Sequence, residues 1–272
     1  MGLETFIEYE HNNAPLLEPQ MSTKVLKFAE KRLKKSGAAK DMEANVPSQI
    51  QMVQHSQFEL GEMLGQGSFS AVYEIRSLQA LPLHIKEGEE KYQERISADA
   101  CVVKTLRKEL LSKPSMLSAC AADLAKEGFL MASLRHEHIL CVKAWATDGL
   151  QGFVSGRHDS YFLVLDKLKD TLSDRIKQWQ KQSNRLKFNI MQREVKKKNF
   201  LSERLQVALN LADAMDYMHS KRILHRDLVS ACLLLECATV SIGKCLDHAD
   251  LFFAYLHPFF ANRNLIILAT TI

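Results

Sequence analysis

The spacing of apolar and polar residues changes several times along the chain, and each change marks an element. Thr23 to Lys35 places Val25, Leu26, Phe28, Ala29 and Leu33 at helical spacing among charged residues. This predicts an amphipathic helix either packed on its own domain or frayed in solvent; the other use of such a face is docking to a partner or a membrane surface. From Phe58 the period becomes two: Phe58 and Leu60, a glycine-bearing stretch, then Ala71, Tyr73 and Ile75 on one parity with Val72 on the other. That is a hairpin whose turn is Gly65-Gln66-Gly67-Ser68-Phe69-Ser70. Residues 77–98 read as a polar insertion, followed by an apolar run from Ala100 to Val103. Ala121 to Leu134 is helical by composition, with Leu124, Leu130, Met131 and Leu134 as its buried stripe. Tyr161 to Leu165 reads as a buried strand. Leu201 to His219, free of Gly and Pro, is the clearest helix, with Leu205, Val207, Ala208, Leu211, Ala212, Met215 and Met218 at i, i+3 and i+4 spacings.

Composition narrows the class. A chain of 272 residues, 46% apolar and 25% charged, has length for a sizeable core and excludes global disorder. Residues 1–55, punctuated by Pro15, Pro19 and Pro47, read as an N-terminal extension. The formal charge of +4 does not argue for nucleic acid. The basic segment Arg175 to Lys198 reads as a solvated insertion between helices; its only aromatics are Trp179 and Phe188, so a nucleic-acid partner is not expected. The six cysteines form no C-x-x-C pair and no signal peptide precedes them, which fits a soluble chain in the reducing cytoplasm. Phe6 stands where a myristoylation signal needs Ser or Thr, and the apolar stretch from Leu251 is broken by His257, Pro258, Asn262, Arg263 and Asn264, so neither lipidation nor a membrane span is expected.

Three features carry chemistry. The glycine turn lies between two strands, not between a strand and a helix, which argues against a dinucleotide-binding fold. Lys104 follows Val102 and Val103 at the end of an apolar run; a lysine there is partly buried and needs an anion. Glu127, on the helix that follows and at the edge of its buried stripe, is the natural partner, with an ordinary surface glutamate as the alternative.

The order Leu64-Gly65-x-Gly67-x-Phe69-x-x-Val72, Val102-Val103-Lys104, helical Glu127 with His136-x-His138-Ile139, Phe162-Leu163-Val164-Leu165-Asp166, and Tyr217-Met218-His219-Ser220 before His225-Arg226-Asp227-Leu228 resembles the eukaryotic protein kinase superfamily, of serine/threonine type. The resemblance covers about residues 56–228. It implies an α+β, two-lobe fold: an antiparallel five-stranded N-lobe with one long helix and a hinge over 56–168, then a partial helical C-lobe over 169–228. It also implies ATP as cofactor, Mg2+ beside it, and a protein substrate that the sequence does not specify. On the same footing, Gly65, Gln66, Gly67 and Ser68 would cover the phosphates, and Leu64, Val72 and Val102 would pack on the adenine. Lys104, paired with Glu127, would orient the α and β phosphates. Leu165 would be the gatekeeper, Asp166, Lys167 and Leu168 the hinge, Asp227 the base, and Arg226 a contact of the activation segment.

The departures begin within the nucleotide site and grow after Leu228. Ser70 replaces a common glycine, and Val102 replaces a small alanine in the adenine slot. Further on, Val229 replaces the usual lysine, Cys232 replaces the metal-binding Asn, and no Asp-Phe-Gly or Ala-Pro-Glu follows. Residues 229–272 are therefore an atypical tail with two readings, of which the first is preferred. One is translated intron, since Val229-Ser230 is what an in-frame splice donor encodes. The other is a degenerate kinase, since Leu233-Leu234-Leu235-Glu236 and Val240-Ser241-Ile242 echo the strands after a catalytic loop. Both lack the metal ligands and predict weak phosphoryl transfer. The chain thus reads as a protein kinase inactive as written or as a pseudokinase that binds ATP or scaffolds. An incomplete second lobe would leave apolar faces of the Leu201 to His219 helix exposed, and chaperone dependence is expected.

Overall fold

The structure, a computed structural model, describes residues 16–35, 50–79, 97–168, 170–186, 193–225, 233–235 and 266–267. The chain divides into two compact units. The first comprises Met1–Arg135, Cys141–Lys167 and Thr271–Ile272, and the second His136–Leu140 and Leu168–Thr270.

The first unit is built on a six-stranded sheet: β1 (Gln51–Val53), β2 (Phe58–Gln66), β3 (Ser70–Leu78), β4 (Cys101–Leu106), β5 (Val142–Ala146) and β6 (Phe162–Asp166), in spatial order β1-β5-β6-β4-β3-β2. The expected hairpin is present as β2 and β3, with Gly65 opposite Val72 and Gln66 opposite Ala71. The expectation of five antiparallel strands is corrected: β1, which falls in the segment read as an extension, adds a sixth strand and pairs parallel with β5. Its three residues lack the strong alternation of the other strands, so pattern alone does not mark it. All six residues of β4 are buried, as suits a strand in the middle of a sheet.

Two helices lie with this sheet. Pro19–Lys35 is α1 and Pro114–Ser133 is α2. Pro114 opens α2 at a position where a missing N–H costs nothing, and Ala119, Ala121, Ala122 and Ala125 favour the helix that follows. It therefore starts seven residues before the predicted Ala121. Leu117, Leu124, Met131 and Leu134 are fully buried, while Leu130 is half-buried. α1 packs Ser22, Val25, Leu26 and Ala29 against α2 and the short 3-10 helix Gly149–Ser155, which agrees with the reading of a helix lying on its own domain. Phe28 does not join that face; it is 62% exposed.

In the second unit, α3 (Leu172–Leu186) and α4 (Arg193–Ser220) take up most of the segment read as a basic insertion, and a three-stranded sheet joins β7 (Asp170–Thr171), β8 (Leu233–Leu235) and β9 (Ile266–Ile267). Of the segment's charges, Arg175 works between the two helices, while Lys177 and Lys181 are exposed. Arg175 Nε donates to Glu203 Oε1 at 2.8 Å, the Trp179 indole N–H donates to Glu203 Oε2 at 2.9 Å, and Arg204 lies over the Trp179 ring. Trp179 is buried. Among the described side chains of α4 the buried positions are Val207, Asn210, Ala214 and Met218, a narrower stripe than predicted; Leu205 and Ala208 are exposed.

Candidate active site

The sheet register brings predicted site residues into rows. Directly opposed residues on neighbouring strands point to the same face. Gly65 faces Val72, Val72 faces Lys104, and Lys104 faces Leu163. The adjacent row is Glu74, Val102 and Leu165. Val72, Val102, Lys104 and Leu165, scattered over almost a hundred positions of sequence, therefore share one sheet face with Gly65 at its edge.

Lys104 and Glu127 meet at the centre. Lys104 Nζ donates to Glu127 Oε1 at 2.7 Å and to Oε2 at 2.8 Å, with side chains 10% and 4% exposed. The spacing puts Glu127 at the edge of a stripe; it is in fact buried, because α2 packs this face closely on the sheet. Gly128 allows that approach: a Cβ there would stand 2.6 Å from Leu163 Cδ2 and 3.1 Å from the Tyr161 hydroxyl. Burial, and secondarily the Glu127 carboxylate, push the Tyr161 phenol above its ordinary value, so it stays neutral beside the pair.

The glycine turn is held from beneath. Gly67 N–H donates to Ser70 O at 2.8 Å, Arg107 donates from its side chain to Gly67 O at 3.2 Å and from its backbone to Phe69 O at 3.0 Å. Leu64, Gln66, Gly67 and Ser68 are exposed. A Cβ on Gly65 would meet nothing within 4 Å. Glycine there is not demanded by packing, which leaves the backbone open to a close-approaching ligand.

Beyond β6 the chain is fixed by contacts that sequence reading did not single out. Lys143 Nζ lies 3.3 Å from Asp166 Oδ1, Lys167 Nζ donates to Glu74 Oε1 at 2.6 Å, and Lys167 N–H donates to Ala100 O at 2.8 Å. No local signal in the sequence marks these contacts, because they depend on register: Glu74 on β3 stands opposite Val102, and β4 separates it from Asp166 on β6. Leu168 begins the second unit. Asp227, Arg226 and Cys232 lie outside the described residues; His225, just before them, is buried. Cys101, Cys120 and Cys141 have thiols pushed up by burial, so none of these three is an activated nucleophile.

A model of the protein tyrosine and serine/threonine kinase family matches residues 58–245, well over half of the chain. The chain belongs to the protein kinase family. The match runs on past Leu228, where the resemblance read from motifs ends. A curated relative, the CBL-interacting serine/threonine-protein kinase 20 of Arabidopsis thaliana, is 25% identical over 179 residues, which is 66% of this chain and 30% of that protein. The chain thus spans under a third of that kinase's length. Kinases of this family use ATP and Mg2+. No helix among the described residues is long and apolar enough to cross a membrane.

Proposed function

We propose that this chain is an ATP-binding kinase-family protein that transfers phosphate to protein serine or threonine slowly or not at all. The observation that supports nucleotide binding best is the buried Lys104–Glu127 pair. A buried ion pair is a poor route to stability when an apolar pair of the same shape would do. Its retention suits a lysine aimed at phosphate oxygens. ATP would supply the transferable phosphoryl group. In this reading Gly65, Gln66, Gly67 and Ser68 cover the phosphates, Leu64, Val72, Val102 and Leu165 enclose the adenine, the backbone of Asp166 to Leu168 reads its edge, and Asp227 accepts the substrate proton.

The donor set for magnesium does not fit. Cys232 occupies the position of the amide ligand and no Asp-Phe-Gly follows. Without those ligands, charge on the transferring group is left to Lys104 alone, and transfer slows. The family match through residue 245 and the pairing of β8 with β7 favour the degenerate-kinase reading of the tail over translated intron.

Two measurements test the proposal. Millimolar ATP is expected to raise the melting temperature of the chain and not that of Lys104→Met; no shift in either overturns nucleotide binding. Transfer to a generic protein substrate is expected far below the range of roughly 1–100 per second typical of active kinases; turnover within it overturns the second half. ATP-dependent stabilisation without turnover is the signature of a pseudokinase.

A further inference from the structure

A groove of about 490 Å³ lies between α1 and the start of α2, away from the kinase motifs. Its lining joins Met21, Val25 and Phe28 of α1 to Pro114 and Ala119 of α2, and its rim carries Lys24, Lys31, Arg32 and Lys35. No carboxylate belongs to the lining. Arg32 Nε is 3.6 Å from Asp123 Oδ1. No ion pair joins Lys24, Lys31 or Lys35 to a carboxylate among the described residues. Phe28, a large aromatic at 62% exposure, stands in the middle of this rim.

The spacing indicates the occupant. Lys24, Phe28, Lys31 and Lys35 differ by four, three and four residues, so they form one stripe of α1 about 16 Å long at 1.5 Å per residue. A single head group meets one end of such a stripe. A chain of carboxylates interrupted by apolar side chains meets all of it, with the apolar side chains on Phe28 and Pro114. We propose that this groove docks an acidic amphipathic segment of a partner protein, laid along α1 as a helix in a groove.

The test uses the full chain and a fluorescein-labelled helical peptide with Leu and Phe on one face and glutamates beside them. Saturable binding that weakens with added salt is expected. Phe28→Asp and the combined Lys24→Glu, Lys31→Glu, Lys35→Glu variant should each weaken it by about tenfold or more. Lys27→Glu, on α1 but outside the lining, should stay within about twofold of the parent. All the substituted side chains are exposed, and circular dichroism of each variant is the check that the helix is retained. No saturable binding, equal affinity in all variants, or binding to phosphatidylserine vesicles in place of the peptide overturns the proposal.

Discussion

At the scale of single residues, three buried charged groups set testable terms. Lys104 and Glu127 each neutralise the other, so removing one strands a charge in a largely buried position. Lys104→Met or Glu127→Gln should cost roughly 3–5 kcal/mol in urea denaturation, whereas Lys104→Met with Glu127→Leu should recover most of that. Single-variant losses under about 1 kcal/mol would contradict the pair's place in the core. Asp159 is 1% exposed and is bound by His55 Nε2 at 2.9 Å and by Arg157 through Nε at 2.9 Å and a terminal nitrogen at 2.8 Å. Burial raises its pKa, but the hydrogen bonds from His55 and Arg157 outweigh it and hold it below the usual range. A depressed carboxyl stabilises the fold above the unfolded pKa of about 4 and loses that contribution as pH falls through the folded value. Asp159→Asn should therefore be less stable than the parent at pH 7, and the gap should shrink steadily below about pH 4.

At the scale of elements, glycines decide how closely helices approach. Gly156 has φ +81°, and a Cβ there would stand 2.8 Å from Leu17 O, a backbone atom that cannot swing away. Leu17 N–H also donates to Gly156 O at 3.0 Å, so this contact anchors the start of α1. Gly156→Ala should cost about 1 kcal/mol or more and speed proteolysis within residues 16–35; unchanged cleavage would mean that α1 is held elsewhere. At Gly128 a helix gains roughly 1 kcal/mol from alanine, but overpacking fully buried Leu163 costs about 1–3 kcal/mol, so Gly128→Ala should be neutral to destabilising. Much of this architecture was legible in the sequence. Period-two spacing marks the β2–β3 hairpin and a lysine after two valines demands the anion that Glu127 supplies, because both are local consequences of burial. The parallel strand β1, the depth of Glu127 and the Arg175–Glu203–Trp179 network were not, because each depends on a partner far along the chain. Leu205 shows the limit of periodicity: its spacing fits the stripe of α4, yet which side of a helix is covered depends on what packs against it.

At the scale of the whole molecule, apolar exposure among the described residues is a liability. Leu201, Leu205 and Leu209 recur every four residues along α4 and are 58%, 54% and 60% exposed. Such a stripe favours association, so the chain should elute as a concentration-dependent mixture in size-exclusion chromatography. Replacing all three with glutamine should shift it toward monomer; an unchanged profile would place the sticky surface elsewhere.

The short strand β1 has a wider meaning than its three residues suggest. Without it the sheet would end on β5, whose Val142, Ala144, Trp145 and Ala146 are buried and whose free backbone groups would offer a template to another chain. At the opposite border, β2 carries Glu59 and Glu62 and breaks its register with β3 in three places, the kind of irregularity that resists intermolecular pairing. The two borders are thus blunted by different devices, one by a cap and one by bulges and charge. With β1 in place the border is a three-residue strand, which offers another chain less to pair with than the five residues of β5 would.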